Sequence, residues 1–308
     1  MKIPLLIAIV SLASVPALTQ QASTAITRPA GAGQVFRLDG GDVSYVFGVN
    51  ERGELQSVYW GGRVQAGDRF APVKSVKGIS AFESSQSETP QEYPGWGGGL
   101  QWEPALKITF PDGNRDLVLH YVSHQPVQDG MDVTLRDIER DVRVVLHYRM
   151  DPETGILARS ASITNGTGEP LVVEQAEAAA WMLPHGTDYV LHYLTGRWAA
   201  EWHQQTRRII PGETVLESRI GSTSHVVNPW FSVGRNAAVG EERGDVWFGE
   251  LGWSGSWRIT VEQDALQQVR IVGGYNPFDF GYRLKPGESL ETPVFYGGFT
   301  DKGYGSAA

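Results

Sequence analysis

The chain has no cysteine at any of its 308 positions. Disulfides are thereby excluded, and so are zinc sites built on thiolates, so burial alone must hold the fold together. A basic excess is also missing: 26 Lys and Arg stand against 35 Asp and Glu, for a net charge of −9, and the two signs are mixed along the chain. Without a basic stripe to neutralise a phosphate backbone, nucleic acid is not an expected partner. Long apolar runs are scarce as well. An uncharged run from Ile3 through Leu12 follows Met1-Lys2 and ends in the small residues Ser14-Val15-Pro16-Ala17. Polar Thr19, Gln20 and Gln21 arrive before the ~20 apolar residues a membrane-crossing helix needs. The pattern is that of a secretory signal peptide over residues 1–17, with cleavage near Ala17. A secreted or periplasmic chain with no membrane partner after cleavage is the expectation.

Self-contained active-site motifs are also lacking: the chain has no Gly-x-Ser-x-Gly elbow, no phosphate-binding Gly-x4-Gly-Lys loop and no His-Glu-x-x-His helix. His120 and His124 have a metal-like spacing, but only on a helix would residues four apart face together, and this stretch reads as a strand. No metal and no cofactor are expected. Helix-period stretches with caps are nearly absent too.

What the chain does have is ten Trp, eleven Tyr, eleven Phe and 37 Gly. Aromatic and β-branched side chains suit a pleated, half-buried surface, and glycine supplies the turns. Short alternating runs begin near Gln34. Ser44–Val49 and Leu55–Trp60 flank Asn50-Glu51-Arg52-Gly53 as a hairpin. Leu106–Phe110 and Leu117–Tyr121 are expected to pair across Pro111-Asp112-Gly113-Asn114. Val142–Arg149 with Ile156–Thr164, and Trp257–Val261 with Gln268–Val272, read as further hairpins. Glu174–Met182, rich in Ala and Glu, is the one place where helix propensity competes; its short length, missing N-cap and the Pro184-His185-Gly186 break favour a strand. At the spacing usual for sandwiches, about 20 strands fit, which is an all-β, multi-sheet sandwich. Two aromatic clusters carry a functional reading: Glu92-Tyr93-Pro94-Gly95-Trp96-Gly97-Gly98-Gly99, and Trp198-Ala199-Ala200-Glu201-Trp202. Indole rings pack against the C–H faces of sugars, although indoles in a β-protein also serve as core.

The same segments, taken in order, resemble the N-terminal domain of the α-galactosidases of glycoside hydrolase family 36. Tyr59-Trp60-Gly61, Glu92-Tyr93-Pro94, Ile156-Leu157-Ala158-Arg159-Ser160, Gly196-Arg197-Trp198 and Asn276-Pro277-Phe278-Asp279-Phe280 are among the stretches that carry it, over residues 35–308. The resemblance implies a β-supersandwich of galactose-mutarotase-like architecture over residues 35–297. A flexible segment at 18–34 would precede it, and residues 298–308 would begin a connection to a (β/α)8 catalytic barrel. A barrel takes ~250 residues, so the two aspartates of retaining hydrolysis are not expected in this chain, and no residue is assigned a catalytic role. The resemblance also implies a contribution to the pocket for terminal α-galactosides. Trp198 would line it, with Tyr189 close by, and Asp68 stands nearest to a loop position that reaches a neighbouring subunit's pocket in tetrameric members. The partners it implies are α-galactoside sugars and a catalytic barrel in cis or in trans, with a homo-oligomer left open. Two other readings stand beside it: a free-standing carbohydrate-binding protein that uses the Trp198 surface, and a purely structural assembly module.

Overall fold

The computed structural model describes residues 31–308, except 79, 81 and 237. The leader expected at 1–17 lies outside the described residues, as does most of the segment expected at 18–34. The first strands, β1 (Val35–Gly40), β2 (Val43–Val49) and β3 (Leu55–Gly62), form a three-stranded antiparallel sheet. A long loop then carries one helical turn, α1 (Ser85–Glu88), whose Gln86 N–H is capped by the Ser84 hydroxyl, and leads to β4 (Leu106–Thr109). Four strands in a meander follow: β5 (Leu119–Val127), β6 (Gly130–Asp137), β7 (Val142–Met150) and β8 (Leu157–Asn165). β9 (Leu171–Met182) crosses to another sheet before a hairpin of β10 (Val190–Arg197) and β11 (Ala200–Arg208). Then come β12 (Gly212–Ser218), β13 (Val227–Gly234), β14 (Val246–Gly252), β15 (Trp257–Gln263) and β16 (Val269–Tyr275). The chain closes with β17 (Tyr282–Leu284), β18 (Ser289–Glu291), β19 (Val294–Thr300) and the short helix α2 (Tyr304–Ala307).

Ten strands form the largest sheet, in the order β11-β10-β13-β14-β19-β8-β7-β6-β5, with β18 also on β8. Six form the third, in the order β12-β15-β16-β9-β17, with β4 also on β9. The all-β multi-sheet sandwich expected from the sequence is therefore the observed fold, and no barrel occurs among the described residues. Along β7 and β8 every second residue is buried, which gives each strand one face in the core. β9 is buried through its second half, where Ala178, Ala179 and Ala180 leave room for close packing. Its Ala- and Glu-rich stretch is a strand because β4 pairs with it on one side and β16 and β17 on the other, and these ladders outweigh helix propensity.

One expected hairpin does not form. The turn after Phe110 is present, with the Gly113 N–H donating to the Phe110 carbonyl and the Phe110 N–H to the Asn114 carbonyl. The flanking strands then part: β4 pairs with β9, Leu106 opposite Ala176, while β5 pairs with β6. A turn fixes chain direction but not partners, and two better ladders won.

The three sheets meet at a buried cluster. The Trp60 and Trp181 rings stack with centroids 4.8 Å apart, and Gly297 lies beneath them so closely that a Cβ there would come within 2.9 Å of Trp181. Arg159, also buried, holds its guanidinium 4.8 Å from the Tyr148 ring and 4.9 Å from the Trp181 ring. Its charge is met by Glu92 at 3.1 Å, and Glu92 also accepts from the Tyr45 hydroxyl at 2.8 Å and the Tyr148 hydroxyl at 2.9 Å. The Arg159 guanidinium donates further to the Ala180 and Glu92 carbonyls. A buried ion pair is tolerated when its remaining donors and acceptors are satisfied, as they are here.

Candidate functional site

The most exposed indoles lie at the edge of the ten-stranded sheet. β10 and β11 pair from Val190 opposite Arg208 to Arg197 opposite Ala200, which leaves Trp198 and Ala199 as a two-residue turn. Ala199 takes a positive φ of 60°, and its N–H donates to the Glu201 side chain at 2.9 Å. The register of β10 shifts between Thr195 and Arg197, where the Gly196 N–H reaches sideways to the Val226 carbonyl. A side chain at Gly196 would press to 2.7 Å from the Glu201 Cα, so glycine permits the close approach that shapes this tip. Trp198 is 79% exposed, and Trp202, three residues into β11 with a φ of 59°, is 71% exposed. β11 is the last strand of its sheet and is exposed along nearly all its length. Two bare indoles on an edge hairpin form apolar surface of the kind that marks a contact site.

The other two residues nominated from the sequence lie elsewhere. Tyr189 is wholly buried: its hydroxyl donates to the Pro184 carbonyl at 2.5 Å, its ring packs edge-on against Trp247 at 5.8 Å, and burial pushes the phenol up to about 12. It supports the start of β10 rather than offering surface to a ligand. Asp68 is exposed in the loop after β3, its N–H bonded to the Gln65 carbonyl. Among the described residues no hydrogen bond, ion pair or ring contact joins Trp198, Tyr189 and Asp68.

The first aromatic cluster divides. Glu92 and Tyr93 are core residues, with the Tyr93 hydroxyl donating to the Glu177 carbonyl at 2.8 Å, whereas the Trp96 ring reaches the surface, 36% exposed. Trp96 stands beside a polar cavity that the sequence does not nominate as a site. The available signal is Gln175 and Glu177, polar residues two apart in a strand otherwise rich in small and apolar ones.

A strand-built supersandwich with aromatic residues at a projecting hairpin is the class of domain that the fold defines. The comparisons with known proteins then supply the family. The sequence model of the glycosyl hydrolase family 36 N-terminal domain matches residues 53–285. The probable α-galactosidase G of Aspergillus terreus is 30% identical over 292 residues, which cover 89% of this chain and 40% of that protein. Among solved structures, the family 36 α-galactosidase AgaB of Geobacillus stearothermophilus superposes with a TM-score of 0.82 at 27% identity, over 89% of this chain and 41% of that one. AgaA of the same organism gives 0.80 at 28% identity, over 88% and 41%. A doubly substituted AgaA has also been solved in complex with raffinose. The chain belongs to glycoside hydrolase family 36, as its N-terminal domain, and spans about 40% of the length of the curated relatives it matches.

Proposed function

We propose that this chain serves as the non-catalytic part of an exported α-galactosidase, and that the β10–β11 hairpin carries Trp198 into a galactoside pocket completed by a catalytic domain. The observation that carries the reading is the exposure of Trp198 at a two-residue turn braced by Gly196 and Glu201. An indole held there has no packing role in this chain, and an apolar ring on a projecting turn suits the C–H face of a pyranose. The crystal complex of the relative AgaA with raffinose supports the ligand class. Export rests on the leader pattern of residues 1–17, and N-terminal sequencing of the protein recovered outside the cytoplasm should begin just after Ala17.

The test of the pocket is a chimera in which this chain replaces the corresponding portion of AgaA. Trp198→Ala in that chimera should raise KM for raffinose about tenfold, the cost of one lost stacking contact, with Trp198→Phe restoring most of it. Kinetics indifferent to Trp198→Ala would remove Trp198 from the pocket. The exposure of Trp202 beside Trp198 favours one second reading, a free-standing sugar-binding surface. In that case the chain alone binds galactosides, and loses them with Trp198→Ala.

A further inference from the structure

A cavity of about 410 Å³ opens on the six-stranded sheet, and so on a different sheet from the Trp198 hairpin. A row of cross-strand partners runs across this sheet, and its Glu217 and Arg258 line the cavity. Glu217 on β12 lies opposite Arg258 on β15, Arg258 opposite Gly274 on β16, and Gly274 opposite Glu177 on β9. Direct partners in an antiparallel ladder share a face, so three polar side chains project in one line with a gap at the glycine. The gap is obligatory: a Cβ at Gly274 would come 2.5 Å from the Glu177 Cα. Gln175, one step along β9, is 5% exposed and lines the cavity, as does Asn276, 4% exposed. Gln175 donates to Glu103 at 2.7 Å and to Glu177 at 3.0 Å. Trp96 and Phe278 stand at the rim, Phe278 with 62% of its surface bare.

The charges at this cavity are already matched. Glu103 faces Arg258 at 3.4 Å, Glu217 faces Arg219 at 2.5 Å, and Lys107 faces Glu174 at 3.4 Å. An anion would meet Glu103 and Glu217, and a cation would meet Lys107, Arg219 and Arg258; either would have to break ion pairs to enter. A neutral ligand meets no such barrier. Two buried polar atoms of this row remain without partners, Nε of Arg258 and Oε2 of Glu177. Buried groups of that kind cost free energy unless something satisfies them. Burial, with the nearby Glu103 second, holds the Glu177 carboxyl well above its ordinary range. The cavity's size falls within the ~300–1,000 Å³ of small-molecule sites, and amide, carboxyl and guanidinium groups converge in it beneath aromatic edges.

We propose that this cavity is a second saccharide site, taking a neutral pyranose whose hydroxyl groups bond to Gln175, Glu103 and Arg258 while its apolar face rests at Phe278. The site stands apart from the pocket proposed for Trp198, and the two are tested separately. The purified chain is titrated with methyl α-D-galactopyranoside and with methyl α-D-glucopyranoside, followed by calorimetry and by saturation-transfer NMR. Saturable binding of at least one glycoside is expected, weakened about tenfold or more by Phe278→Ala. Trp198→Ala should leave it unchanged. The Phe278 side chain is exposed, so the variant should unfold at the native midpoint, which the same samples check. Binding that vanishes with Trp198→Ala and ignores Phe278→Ala would assign the sugar to the hairpin and overturn the proposal. So would the absence of saturable binding up to the solubility of both sugars.

Discussion

Arg159 and Glu92 show most plainly how single side chains hold this domain together. Both are buried, and the guanidinium is the hub from which a carboxylate, two tyrosine hydroxyls and two carbonyls are satisfied. Removing one partner leaves the other charged and buried, so Arg159→Met should cost about 3–5 kcal/mol in urea unfolding, far more than any surface ion pair. Glu177 makes a contrasting prediction. Its folded pKa is raised above the ordinary 4.5 by burial and by Glu103, so its favourable contribution is complete below that value and is lost as pH rises through the higher folded one. Glu177→Gln, which cannot ionise, should gain stability relative to the native chain as pH climbs from about 4.5 toward neutrality, read as the difference between their thermal midpoints. At this scale the sequence shows identities but not surroundings. Glu92 and Tyr93 stand in a glycine- and aromatic-rich stretch that suggests a ligand platform, and only the fold reveals them as core. Tyr189 is equally legible as a tyrosine near Trp198, yet alternation within one strand says nothing of the Pro184 carbonyl that claims its hydroxyl.

Among the elements, the β10–β11 hairpin carries the indole on which the proposed function rests. Its turn places Ala199 at a φ of 60°, where an L side chain is strained by roughly 1–2 kcal/mol. Ala199→Gly should therefore stabilise the domain by up to about 1 kcal/mol, part of the relief being offset by the freedom glycine gains when unfolded, and thermal unfolding measures it. The hairpins joined by short turns were legible because turn residues and alternation act locally: β2 with β3, β7 with β8 and β15 with β16 all pair as their sequences indicate. β4 was not, because its partner β9 lies more than sixty residues further along the chain, and no local pattern encodes that choice. The polar row across β12, β15, β16 and β9 was hidden for the same reason. Its members are scattered over four strands and meet only through register.

For the whole molecule, strand content and sandwich class follow from turn spacing and aromatic usage, whereas the partition into sheets of three, ten and six strands does not. The sandwich also runs further than residue 297. β19 continues through Thr300, and α2 packs back against β13, β14 and β19, so the last residues belong with the domain. The central claim is that this sandwich shapes a sugar pocket but does not cut the glycosidic bond, which in retaining enzymes requires two carboxylates roughly 5–5.5 Å apart across it. The most direct measurement is release of nitrophenol from p-nitrophenyl α-D-galactopyranoside by the purified 308-residue chain, beside the chimera that joins it to the AgaA catalytic portion. Turnover by the chimera and none by the chain alone is the expected result. Nitrophenol released by the chain alone, at a rate proportional to its concentration, would contradict the account.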